Sequence, residues 1–364
     1  MIGSFTFESF PCRVVFGSGT LSAARSEVER LGAKRVLVLA TPRQEAECKR
    51  LGSSLGALYA GVFLGAAMHT PVETTDRAIV ALKEHGADCV IALGGGSATG
   101  LGKALALRTG VNQLCIPTTY AGSEMTPILG ETKDGLKTTV RDPAVLPEAV
   151  IYDVDLTLTM PVHLAVTSGF NAIAHAVEAL YARDTNPVTS LMAEDGIRAL
   201  AGALPVIAAN PADRKARSDA LYGAWLCGLC LGTVGMALHH KLCHTLGGTF
   251  DLPHAETHTI VLPHALAYNA PAVPDAMERI GRAIGVADTA QGLYELAKRL
   301  NAKLALRDFG MPKAGIEKAA DLAVTNSYWN PRPLDRDAIR DLIARAWAGE
   351  PPLATREGST AGAI

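Results

Sequence analysis

Short apolar runs recur through the first part of the chain, separated by stretches with a helical period. RVLVLA (35–40), ALYAGVF (57–63), CVIALGG (89–95) and QLCIP (113–117) predict strands, and the segments near 20–31, 43–55, 73–86 and 98–108 predict amphipathic helices. Strands apolar at successive positions are covered on both faces, so the pattern predicts an α/β unit with a parallel sheet between helical layers. Further on, LGETKDGLKTTV predicts a hairpin about the Asp134-Gly135 turn.

From about Pro161 the period becomes helical throughout. AVTSGFNAIAHAVEALYA, NPVTSLMAEDGIRALAGALPVIAA and DRKARSDALYGAWLCGLCLGTVGMALHH each read as a helical segment, with Asn-Pro or Pro breaks between them. DAMERIGRAIG and TAQGLYELAKRLNAKLALRDFG continue the pattern. The expected organisation is a dinucleotide-binding α/β domain over 1–158, an all-helical catalytic domain over 159–350 and a flexible tail at 351–364, whose composition is rich in Pro, Gly, Ser and Ala. A cleft between two such domains is where a ligand is expected.

Composition narrows the class. With 48% hydrophobic and 19% charged residues the chain can bury a core, and a net charge of −2 excludes a strongly basic nucleic-acid or membrane-surface footprint. No apolar stretch approaches the length of a bilayer span, and the N-terminus lacks the charged-then-apolar order of a secretory signal. The 7 cysteines are an odd, scattered set. Cys227 and Cys230 form a CxxC spacing inside an apolar helical segment, which reads as buried packing rather than a redox pair. A reducing cytoplasm is the expected compartment.

Two loops carry cofactor chemistry. CVIALGGGSATGLGKALAL is a strand, then Gly94, Gly95, Gly96 and Ser97, then a helix. Glycines let backbone N–H groups approach a diphosphate at the positive end of that helix, with Ser97 expected as its N-cap. The next strand runs into PTTYAGSE, placing Thr118, Thr119 and Ser123 at the same sheet edge. RVLVLA ends in Thr41, with no carboxylate before Glu45. Nothing there repels a 2′-phosphate, so either NADH or NADPH is expected to serve.

The second half is histidine-rich. LHHKLCHTLGGTFDLPHAETH holds His239, His240, His244, His254 and His258, with His264 just beyond; Asn171 and His175 lie four residues apart on an earlier helix. The cluster has the pattern of a metal site whose expected carboxylate is an amide. His239, His258 and His264 are equally compatible with structural roles, and Cys243 reads as a packing residue.

The GGGS loop, PTTYAGSE, Asn171 with His175, and the spacing of His240, His244 and His254 resemble the iron-containing (group III) alcohol dehydrogenase superfamily over nearly the whole chain. That resemblance implies an α/β dinucleotide-binding domain followed by an all-helical one, with a homodimer as the assembly. It also implies a metal held by an Asp and three His, at positions occupied here by Asn171, His175, His240 and His254. Asparagine removes the anionic ligand, so no bound metal is expected. The glycine loop also departs: Gly100 stands where the family has an Asp, and the shortened PTTYAGSE is expected to bring Tyr120 into the cleft.

These departures resemble a branch of the family that reduces a carbon–carbon double bond conjugated to a ketone in an unsaturated dicarboxylate, at the end of aromatic-compound degradation. Such a reduction builds an enolate, which hydrogen-bond donors can stabilise without a Lewis acid. His175, His240 and His254 are the expected donors and His244 the expected proton donor. Lys241 and Arg332 are candidates for the substrate carboxylates, and Lys137 matches a family lysine near the cofactor ribose. A metal-dependent alcohol dehydrogenase, with Asn171 ligating through its amide oxygen, stays open as the second reading, and a lyase using NAD transiently as a third.

Overall fold

The computed structural model describes residues 4–134, 136–325 and 328–353, and the side chains of all of these except 136 and 137. Residues 354–364, most of the expected tail, lie outside that set, as does Gly135. The strands are β1 Arg13–Gly17, β2 Val36–Leu39, β3 Tyr59–Phe63, β4 Cys89–Gly94, β5 Asn112–Pro117, β6 Ile128–Lys133, β7 Leu136–Arg141 and β8 Ala149–Asp153. Six of them form one parallel sheet in the order β1-β8-β5-β4-β2-β3. β6 and β7 pair antiparallel, with Lys133 opposite Leu136, as the hairpin pattern predicts.

Four of the six sheet strands match the apolar runs; β1 (RVVFG) and β8 (AVIYD) were not among them. Both are five-residue stretches close to prolines, too short for a periodicity to stand out. Side-chain alternation divides the sheet between two cores. Leu37, Leu39, Val90 and Ala92 face the main hydrophobic cluster, which extends into the helical half. Val36, Val38, Cys89, Ile91 and Leu93 face a second cluster on the other side.

The helices of the first half are α1 Ala24–Arg30, α2 Glu45–Leu55, α3 Val72–Glu84 and α4 Gly96–Thr109. A short α5 Val154–Thr157 then leads into α6 Val162–Leu180, α7 Pro187–Ala209, α8 Arg214–Thr233, α9 Leu238–Phe250, α10 His254–Asn269, α11 Pro274–Ile284, α12 Thr289–Arg299, α13 Gly315–Ala323 and α14 Arg336–Ala348. The segment read from sequence as one helix through LHH is two: α8 and α9 meet at 95° across Val234–Ala237. Apolar composition hides this break, because what makes it is a buried carboxylate from another helix, described below. No single helix among the described residues is long and apolar enough to cross a membrane.

Candidate active site

Three neighbouring parallel strands, β2, β4 and β5, end side by side and carry Thr41, Gly94 and Thr118 to one edge of the sheet. The Thr118 N–H donates to the Gly94 carbonyl at 2.9 Å, locking the two loops together. Gly94 has φ +148°, which side chains rarely adopt, and turns the chain into α4. A Cβ on Gly95 would stand 2.9 Å from Thr119 Oγ1, so this floor is made of backbone alone. The N-cap of α4 is Gly95, with no side-chain bond, and Ser97 is already inside the helix. The expectation that Ser97 caps α4 is therefore corrected: the turn is completed by glycine, and the first N–H groups keep no side-chain acceptor. A dinucleotide diphosphate fits such an edge, where a helix start and a bare backbone meet.

Two further residues support the edge. A Cβ at Gly100 would stand 2.3 Å from Thr70 Oγ1, so Thr70 occupies the space a side chain would need. Lys103, unmarked in the sequence reading, is fully buried in α4 and donates to the carbonyls of Ser123 (2.5 Å), Thr126 (2.7 Å) and Ile128 (2.8 Å) and to Thr126 Oγ1 (2.9 Å). It ties the glycine-loop helix to the segment after PTTYAGSE.

That segment touches the helical half. Gly122 (φ +76°) packs so closely that a Cβ would lie 3.1 Å from Gly228 Cα in α8 and 3.3 Å from His175 Nδ1. Asn171 Nδ2 donates to the Ala121 carbonyl at 3.4 Å. Asn171, His175 and Glu178 fall at i, i+4 and i+7 on α6, one face directed at this junction.

Glu178 is, with Lys103, a residue that the sequence reading missed. It is fully buried and accepts from the backbone N–H groups of Ala237 (2.8 Å) and His239 (2.8 Å) at the start of α9. It also contacts His240 Nδ1 at 2.7 Å. An anion at a helix start satisfies donors that have no partner within the helix, which is why the chain breaks here. The only sequence signal was its spacing from His175.

The imidazoles converge from three helices: His175 from α6, His239, His240 and His244 from α9, His254 and His258 from α10. His175 stacks on His240 with ring centres 5.2 Å apart, and His254 lies 4.3 Å from His258. His244 is the exposed member, 6.3 Å from His240 and 6.4 Å from His254. Burial holds the His175, His239 and His258 imidazoles well below the usual histidine range, reinforced by their neighbours, so they are neutral. Asn171 Oδ1, His175 Nδ1 and His240 Nε2 are buried without protein partners.

Do these residues fit the family's cation? Three imidazoles and an amide bring no negative charge, and an ion held at about 2.1 Å needs ligand nitrogens within about 4 Å of each other. Among the described residues, the group of three or more potential ligands whose atoms all lie within 4.8 Å of one another is His239, Cys243 and His258, not the three imidazoles at the family's positions. Within the former set, His239 Nε2 and His258 Nδ1 stand 2.9 Å apart, a hydrogen-bond distance. The four residues at the family's metal positions, Asn171, His175, His240 and His254, supply no anionic ligand and do not form such a group.

One expected residue, Tyr120, lies elsewhere. Tyr120 does not enter the cleft: it is fully buried in the main hydrophobic cluster, near Arg217 and Thr157. Burying the ring stabilises the core, and the next two residues, Ala121 and Gly122, are what reach the site. Arg332 stacks 4.3 Å over the Tyr268 ring and donates to that residue's carbonyl at 2.8 Å. It clasps the turn that follows Asn330. Lys241 sits 5.6 Å above the Tyr328 ring. The side chain of Lys137 lies outside the described residues. Cys227 and Cys230 are free, buried thiols in the middle of α8, and His264 is buried on α10.

A parallel sheet with a backbone-lined edge, facing a helical half that presents imidazoles, accords with a two-domain oxidoreductase. Comparison with known proteins gives the relationship. Residues 11–154 match the iron-containing alcohol dehydrogenase model and 165–347 the C-terminal model of the same family. A maleylacetate reductase from Burkholderia cepacia is 57% identical, over 96% of this chain and 100% of its own. The crystal structure of maleylacetate reductase from Agrobacterium tumefaciens superposes with a TM-score of 0.93 at 54% identity, covering 96% of this chain and 100% of that one. That of an iron-containing alcohol dehydrogenase from Corynebacterium glutamicum gives 0.91 at 40% identity, covering 97% and 99%. The chain belongs to the iron-containing alcohol dehydrogenase family.

Proposed function

We propose that the chain reduces the carbon–carbon double bond of maleylacetate to give 3-oxoadipate, a late step in the breakdown of resorcinol, hydroxyquinol and chlorinated aromatics, using NADH or NADPH and no metal ion. The observation that carries this reading is Asn171. Its amide donates to the Ala121 carbonyl, a contact in which an aspartate would set oxygen against oxygen. The position that is anionic in the family is thus neutral, among imidazoles. The substrate identity is supported by relatives named maleylacetate reductase at 50–57% identity.

Thr41, Gly94, Gly95, Gly96, Ser97, Thr118, Thr119 and Ser123 would hold the dinucleotide, and the family resemblance assigns Lys137 to its ribose. The nicotinamide, when bound, supplies the hydride. No carboxylate stands between Thr41, whose hydroxyl pairs with Gln44, and Glu45, so both cofactors are accommodated. Around the substrate, Glu178 fixes His240 through Nδ1 and leaves Nε2 for the site. His175 and His254 stabilise the enolate oxygen through N–H donors, and His240 joins them from Nε2 as the imidazolium paired with Glu178, a less demanding task than stabilising an alkoxide. His244, open to solvent, delivers the proton that completes the saturated product. Lys241 pairs with one substrate carboxylate. A cytoplasmic homodimer completes the reading; free cysteines accord with a reducing compartment.

The test is NADH consumption on maleylacetate after chelator treatment, with metal content measured by elemental analysis. Full activity without stoichiometric metal is expected; loss of activity that zinc or iron restores defeats the metal-free reading. One observation favours the alternative, metal-dependent alcohol oxidation with Asn171 as a ligand: its Oδ1 is buried without a partner. Stoichiometric metal together with turnover of simple alcohols would establish it.

A further inference from the structure

His239 and His258 stand outside the family's ligand positions, yet both are fully buried and in contact through their rings. His258 Nδ1 is 2.9 Å from His239 Nε2, and Cys243 Sγ is 3.7 Å from the same Nε2. The His258 ring lies 4.3 Å from His254, 5.0 Å from His240 and 6.3 Å from His175, so it stands within the imidazole cluster. Its Nε2 has no protein partner, and neither has His239 Nδ1. Two ring nitrogens 2.9 Å apart hold one proton between them, and in such an imidazole pair each ring keeps one N–H.

Two tautomer pairs satisfy the 2.9 Å contact. If His258 Nδ1–H donates, His239 carries its other proton on Nδ1, a buried donor with nothing to bond. If His239 Nε2–H donates, its Nδ1 is a bare lone pair and His258 carries N–H on Nε2, inside the cluster. The second pair leaves its unpaired donor where a ligand oxygen can accept it; the first leaves it in the core permanently. Buried donors without partners are rare unless function uses them. The second pair also lets Cys243 sulfur share the His239 proton as a weak acceptor.

We propose that His258 is a further catalytic residue, donating Nε2–H to the substrate ketone oxygen as charge develops there, and that His239 is the positioning residue that fixes its tautomer. This rests on the reduction described above. In place of one cation, the oxygen meets an additional imidazole donor held by a second histidine.

Two measurements test it. ¹⁵N shifts of histidine-labelled protein report the tautomers directly, without substrate: protonated Nε2 on both His239 and His258 is expected, and an Nδ1–H tautomer on His258 overturns the proposal. In kinetics, His258→Leu should lower kcat about 100-fold, the usual cost of one oxyanion donor, while NADH affinity stays within about twofold of wild type, far inside a tenfold (~1.4 kcal/mol) change. His239→Leu should also lower kcat, and His239→Gln, whose amide can still donate to His258, should restore most of it. A wild-type kcat in His258→Leu, or His239→Gln as slow as His239→Leu, overturns the assignment. Wild-type protein inert toward maleylacetate would defeat the parent reading, and the tautomer measurement would still decide the His239–His258 arrangement.

Discussion

The two halves of the molecule build their parts of the site from different material. In the sheet half the working surface is backbone: Gly94 and Gly95, the Thr118–Gly94 bond and the uncapped start of α4. Side chains there, such as Lys103 and Thr70, act from behind. In the helical half the working surface is side chain, and the backbone is bent to deliver it: α8 and α9 break at 95° around Glu178. A surface made of backbone tolerates nothing added. A surface made of side chains tolerates nothing taken away.

The sharpest way to break this contrast is to remove Glu178. Glu178→Gln puts an amide N–H against the Ala237 and His239 donors and weakens the hold on His240. Breaking a buried, multiply bonded charge costs about 3 kcal/mol or more, and kcat should fall by about 100-fold as His240 loses its orientation. Thermal unfolding and steady-state kinetics measure the two, and NADH affinity should stay near wild type. The complementary change is Gly95→Ala. Its Cβ would meet Thr119 Oγ1 at 2.9 Å and project into the diphosphate's approach. NADH binding, followed by fluorescence titration, should weaken about 30-fold, roughly 2 kcal/mol. Adding Thr119→Ala should leave that loss in place if the cofactor is what the methyl excludes. Recovery in the double variant would mean that only loop packing was disturbed.

The same division explains what the sequence made legible. Glycine runs after a strand are a local signal, because the strand-to-helix turn itself demands them, and Gly94 to Gly96 fall at that turn. Imidazole spacing along one helix is equally local, which is how Asn171 with His175 and His240 with His244 could be paired. Glu178 and Lys103 act across 62 and 25 positions of sequence, on His240 and the Ile128 carbonyl respectively. Nothing near them says which oxygen or nitrogen they will meet. Tyr120 was misplaced for a related reason, and Arg332 makes contacts that its sequence neighbours do not announce. A polar tip on a large side chain suggests a cleft, but the fold places the Tyr120 ring in a core and stacks the Arg332 guanidinium on Tyr268.

A smaller effect sharpens the comparison inside the sheet half. At Gly100, where the family has an aspartate, a Cβ would come within 2.3 Å of Thr70 Oγ1. Gly100→Ala alone should destabilise by about 1–3 kcal/mol through overpacking, read as a fall in the unfolding midpoint. Thr70→Ala with Gly100→Ala removes the clashing hydroxyl, and the two changes should be strongly non-additive in a double-mutant cycle. Additive losses would mean that the conflict lies in the helix itself and not with Thr70.

The least of these effects concerns a histidine that the site does not use. His264 on α10 is buried, and burial, aided by Arg345, pushes its imidazole down to about 4. In the unfolded chain it titrates near 6.5. Below that value the unfolded state takes up a proton that the folded state refuses, so stability present above 6.5 is lost as the pH falls toward 4. Over the first pH unit of that window the loss is about 1 kcal/mol. His264→Leu removes the proton uptake, so its unfolding midpoint should fall less steeply with acid than the wild type's. Parallel slopes for the two proteins would mean that His264 contributes nothing to the acid sensitivity and is only a packing residue.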